Sequence, residues 1–85
     1  MYLSANVIQS VITESERAHD KHQSIGAGQS IFDLEMPVLG KLAALVEEVG
    51  EVARAIIEGE PTENLYKELV QSANVALTWA DSLPK

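Results

Sequence analysis

Three carboxylates, Glu47, Glu48 and Glu51, fall within five residues at the start of EEVGEVARAI, and Glu68 with Gln71 follows in KELVQSANVALTWA. Oxygen ligands on neighbouring helices are the donor set with which a helical bundle holds a hard cation such as Mg²⁺ or Mn²⁺. The rival reading is a solvated acidic face, the ordinary outcome for glutamates on a helix. Two features favour the cation. Glu47 with Glu51 and Glu48 with Glu51 are like charges at i, i+4 and i, i+3, which repel by a few tenths of a kcal/mol per pair. Between them the same face carries Ala44 and Ala55 in place of long polar side chains, and Gly50 adjoins, smooth enough for something to pack closely. Leu69 to Ala80 carries no formal charge and reads as a helix buried on most sides. Glu68, which shares a face with Ser72, Val75 and Trp79, then requires a partner or a cation.

Leu3, Val7, Ile8, Val11, Ile12 and Ala18 repeat at helical spacing and predict a first helix over 4–22, with Ser4 as its N-cap. The stretch 23–36 breaks the pattern; Gly26 and Gly28 loosen it, and Ile31, Phe32 and Leu34 offer a small apolar anchor, as in a long loop. Pro37 suits the first position of a second helix over 37–58, with an apolar stripe at Leu42, Leu45, Val46, Val49, Val52, Ala53 and Ile56 opposite the glutamates. Gly59 suits the left-handed position after that helix. Pro61 and Thr62 then open a third helix over 62–82, with its stripe at Leu65, Leu69, Ala73, Ala76, Ala80 and Leu83. So short a connection makes helices two and three an antiparallel hairpin. Glu48 and Glu51 then stand at levels similar to Gln71 and Glu68, and their side chains converge.

The reading is all-α: one domain over 1–85, a short bundle of about three helices per chain. A domain this small buries only about 60–65% of its unfolded surface, and with no cysteine it has neither disulfides nor a thiolate zinc site. The bundle is therefore expected to be completed by pairing with copies of itself, as a homodimer or tetramer. A formal net charge of −7, from 13 acidic and 6 basic residues, opposes binding to nucleic-acid polymers or anionic membranes. The chain holds no run of about 20 apolar residues. Its N-terminus lacks the pattern of a secretory signal, so the expected location is cytoplasmic.

The remaining candidates are weaker. His19 and His22 form an H-x-x-H pair that reads as two solvated histidines near a helix C-terminus. Arg17 and Lys21 share that stretch, and Arg54 and Lys67 project near the level of the glutamates; each can meet a phosphate or a carboxylate. Trp79 reads as core or interface, Phe32 as a possible stacking ring. Gly26 to Gly28 lacks the preceding strand and following lysine of a phosphate-cradling loop.

The pattern E-E-x-x-E at Glu47 to Glu51, followed by E-x-x-Q at Glu68 to Gln71, resembles the MazG-like, all-α nucleoside triphosphate pyrophosphohydrolases. KLAALVEEVGEVARAI and KELVQSANVALTWADSL look like the core helices of that family, so the resemblance covers roughly Leu39 to Leu83. It implies a Mg²⁺-dependent cut between the α and β phosphates, releasing a nucleoside monophosphate and pyrophosphate, as in the removal of unwanted nucleotides. By the same resemblance Glu48, Glu51 and Glu68 are metal ligands, and Glu47 holds a second metal or orients the attacking water. Gln71 stands where the family has aspartate; its amide oxygen can still coordinate Mg²⁺ but with one negative charge fewer. Asn74, about a turn on, supplies an oxygen or a substrate contact. The alternatives are a MazG-like nucleotide- or metal-binding module without turnover, and an interaction protein with a solvated acidic face.

Overall fold

The structure, a computed structural model, describes residues 3–22 and 36–84, and for Lys21 and His22 the backbone alone. The expected loop with its glycines and Phe32, and the side chains of Lys21 and His22, lie outside the described residues. The chain forms α1 (Ala5–His22), α2 (Val38–Ile57) and α3 (Thr62–Ser82). Among the described residues no helix is long and apolar enough to cross a membrane.

Local chemistry accounts for the helix ends. The Val7 N–H donates to Ser4 Oγ at 3.2 Å, the N-cap bond expected of that serine. Pro37 stands just before α2 instead of opening it, in extended backbone (ψ 150°), and its carbonyl accepts from the Lys41 N–H at 3.1 Å. At the other end Gly59 takes the left-handed conformation, φ 66°. Its N–H donates to Ile56 O at 3.2 Å and that of Glu60 to Ala55 O at 2.9 Å. This is the Schellman arrangement, which closes the helix and turns the chain. Pro61 follows, its carbonyl accepting from the Asn64 N–H at 2.9 Å to start α3.

α3 lies between the other two helices: α2 packs along one side of it, α1 along another, and among the described residues α1 and α2 make no close contact with each other. The hairpin register is tied where Lys41 Nζ donates to Ser82 Oγ at 3.1 Å, and that hydroxyl donates in turn to Trp79 O at 2.6 Å. The buried positions are few and mostly small: Ala18, Ala55, Val70 and Val75, with Lys41 and Asn74 as buried polar residues.

The apolar stripes expected from periodicity are not the core of the single chain. On α2 the side toward α3 carries Lys41, Ala44, Glu48 and Ala55, all buried or half-buried, with Leu45 and Val52 at its border. The stripe through Leu42, Val46, Val49, Ala53 and Ile56 is exposed, Val46 by 60% and Ile56 by 63%. On α3 the buried side chains are Val70, Asn74 and Val75, while in the expected stripe Leu65, Ala73 and Ala76 are half-buried and Leu69, Ala80 and Leu83 are exposed. The reason is steric. On α2, small residues at Ala44 and Ala55 let the neighbouring helix approach, so α2 turns its smooth side inward and leaves its bulkier side outward, while α3 meets it with larger side chains such as Trp79.

Candidate metal centre at the hairpin seam

The three glutamates of α2 occupy three environments. Steps of 100° per residue put Glu48 in the seam with α3, Glu51 at its edge and Glu47 on the outer surface. Accordingly Glu48 and Glu51 are half-buried and Glu47 is exposed. Ala55, 2% exposed, and Ala44 lie along the same seam, which is why the carboxylate face can lie against a neighbour.

Glu48 is the anomaly. Its Oε2 is shielded from solvent and has no hydrogen-bond partner among the described residues. Burial, first of all, and then the negative charges of Glu68, Glu47, Glu51 and Glu14 push its carboxyl above the usual carboxylate range. Among those charges Glu68, across the seam on α3, acts most strongly, as the matched levels on the two helices require.

Other expected site residues are engaged elsewhere. Glu51 pairs with Arg54 at 3.1 Å, and Arg54 reaches Glu58 at 3.9 Å, so Arg54 serves carboxylates of its own helix. Asn74 is buried, and its Oδ1 accepts from Thr78 Oγ1 at 3.2 Å. Its place is beside Val11, Ile12 and Ser15 in the groove between α1 and α3; this draws it from the glutamates. Lys67 borders a second open groove of about 330 Å³ with Gln9, Thr13 and Tyr66. Trp79 is half-buried on the α2 side of α3. His19 makes polar contacts of its own.

One residue joins the site that sequence reasoning missed, and a second ties the same seam about two helical turns away. Glu14 of α1 has a side chain only 14% exposed and accepts two bonds from one edge of the Arg17 guanidinium, from Nη2 at 2.6 Å and Nε at 3.0 Å. Those bonds chiefly, with the charges of Arg17 and Lys67 and the nearby Gln71 amide, hold its carboxyl below the usual range. Gln71 thus stands near Glu14 as well as on the rim of the seam. E-x-x-R at Glu14 to Arg17 was the available signal, though it looks like any exposed i, i+3 pair until α1 is laid on α3. Lys41 is the other; its signal was its position on the face of Ala44, Glu48 and Ala55.

The donor chemistry suits a hard divalent cation: carboxylate oxygens, a shielded oxygen without a donor, and a surplus of negative charge. Among the described residues, however, no three carboxylate or imidazole groups close on one point. Compared with known proteins, the chain matches no family model, no curated protein and no solved structure.

Proposed function

We propose that the chain is a Mg²⁺-dependent nucleoside triphosphate pyrophosphohydrolase, working in the cytoplasm as a homo-oligomer and cutting the α–β phosphoanhydride of a nucleotide. The observation that carries this reading is Glu48: a carboxylate half-buried among four other carboxylates, with one oxygen shielded and undonated. Such a group calls for a cation, and the resemblance of Glu47 to Glu51 and Glu68 to Gln71 to a pyrophosphohydrolase motif gives the cation a task.

Glu48, Glu51 and Glu68 would hold Mg²⁺ or Mn²⁺, with the Gln71 amide oxygen beside them. The ion would supply neutralisation of phosphate charge and activation of water. Glu47, exposed on the outer surface of α2, would orient that water, as the resemblance implies. Lys67 and Arg17 flank Glu14 on the α1 side and would meet an incoming phosphate chain. Pyrophosphate release from a panel of standard and modified nucleoside triphosphates, with Mg²⁺, Mn²⁺ or EDTA, tests the reading. Metal-dependent release that disappears in Glu48→Ala, while helical circular dichroism persists, is expected; wild-type turnover by that variant defeats the site.

A second reading is favoured by a specific observation. Arg54 engages Glu51, and among the described residues no three acidic groups converge, as expected of a module that binds metal or nucleotide without turnover. Under it Gln71→Asp raises metal affinity, and the nucleotide panel stays silent in wild type.

A further inference from the structure

We propose that Glu14 of α1 is a positioning residue for the α2–α3 seam: held by Arg17, it accepts from the Gln71 side-chain amide and so turns the Gln71 carbonyl oxygen toward Glu48 and Glu68. The assignment rests on the reading of that seam as a cation site, and it gives a role there to α1, which carries none of the expected ligands.

Three observations carry it. First, Gln71 stands on the ridge of α3 that separates its two seams. Glu68 precedes it by three residues and Lys67 by four, so both adjoin it on the helix surface, roughly 60° and 40° around the axis. Glu68 acts on Glu48 across the α2 seam, whereas Lys67 and Val70 line a groove together with Glu14. The half-buried side chain at position 71 therefore has one seam on each side of it.

Second, a glutamine amide has two unlike ends. Its oxygen accepts and its NH₂ donates, only the oxygen can bind a hard cation, and a half-turn about the last side-chain bond exchanges the two. An ionised carboxylate can only accept. A hydrogen bond from Gln71 is among the influences that hold the Glu14 carboxyl low, so the end turned to Glu14 is the NH₂. The oxygen then points away from α1, to the side of Glu68.

Third, Glu14 is itself fixed. Its side chain is 14% exposed, and Arg17, 53% exposed, reaches both of its oxygens from the solvent side. Each carboxylate oxygen can take a second donor, which leaves the inner side of Glu14 to Gln71. The charge of Glu14 is also felt at Glu48, in keeping with an amide that stands between the two.

The full chain, first without metal and then with Mn²⁺, tests this. In amide nuclear magnetic resonance spectra without metal, the Gln71 side-chain NH₂ signal, identified by its loss in Gln71→Glu, is expected to move in Glu14→Met. It is expected to stay in place in Glu16→Met, a change at an exposed residue of the same helix. Glu14→Met keeps the bulk against α3 and removes the acceptor; its Mn²⁺ dissociation constant is expected to rise about 10-fold, the low end for a group that supports a ligand. In a Gln71→Glu background the two oxygens are alike and nothing is left to orient, so there Glu14→Met is expected to leave the constant unchanged. Arg17→Met is a surface change that spares the fold should Glu14→Met not. It is expected to weaken Mn²⁺ binding too, whereas by charge alone the loss of a cation would tighten it. An unmoved Gln71 signal overturns the proposal, as does an equal loss of affinity in both backgrounds or tighter binding by Arg17→Met. A wild type that binds no Mn²⁺ overturns the cation reading and the proposal together; the three preceding results overturn the proposal alone.

Discussion

The two seams of α3 are built on opposite terms. Between α1 and α3 the polar groups find partners: Tyr66 donates to Ser10 Oγ at 2.8 Å, Thr78 to Asn74, and Glu14 is clasped by Arg17. Between α2 and α3 one end is equally settled by Lys41, Ser82 and the Trp79 carbonyl. The middle is not, because Glu48 faces Glu68 with no donor on its shielded oxygen. Glu14 and Glu48 are the same residue type in one small bundle, and their carboxyl groups are displaced in opposite directions, one chiefly by the Arg17 hydrogen bond and the other by burial and then the negative charge of Glu68 and its neighbours. The lesson is that a helix seam stabilises the fold where its polar groups are paired and is available for a ligand where they are not.

The largest expected effect breaks the unsettled seam. Glu48→Ala is expected to reduce metal-dependent pyrophosphate release at least about 100-fold, beyond the 10–100-fold typical of residues that only support metal ligands, with helicity retained. Next comes the settled end. Lys41→Ala removes a buried donor and the stem beside it, and is expected to cost about 1–3 kcal/mol. That lowers the midpoint of thermal unfolding by roughly 4–8 °C per kcal/mol in a chain of this size.

Acid separates the two carboxylates. The depressed Glu14 contributes stability above the ordinary glutamate value, about 4.3, and loses it as pH falls through its own lower value. Glu14→Gln therefore costs a few tenths to about 1 kcal/mol at pH 7 and nothing once both forms are neutral. Glu48 has the reverse sign: its raised value favours the fold when protonated and disfavours it as pH rises through that value. Without divalent cation, Glu48→Gln is expected to stabilise the protein at pH 7 by a few tenths of a kcal/mol, the size of a like-charge pair. The gain should shrink toward pH 4, measured by chemical unfolding across that range.

Much of this was legible in the residues, for reasons that also explain the rest. Ser4, Gly59 and Pro61 act through the backbone next to them, so the helix ends follow from local chemistry. The facing of Glu48 was foreshadowed by Ala44 and Ala55, whose small side chains suit close packing and not a wet surface. Which side of α2 meets α3 was not readable from hydrophobicity, because periodicity ranks faces by apolar content and not by the side-chain volumes that let two helices approach. Glu14 escaped for a related reason: an i, i+3 ion pair looks the same in any helix until a neighbour, here Lys67 and Gln71 on α3, is laid against it.

The most direct test of the unsatisfied seam is the thermal unfolding midpoint of wild type and Glu48→Gln, at fixed protein concentration near pH 7, with EDTA and then with rising Mg²⁺ or Mn²⁺. A cation that binds only the folded chain adds about 2.7 kcal/mol when present at one hundred times its dissociation constant. The account predicts a midpoint that climbs with metal in wild type and stays flat in Glu48→Gln. A flat wild type, or an equal climb in both, would contradict it.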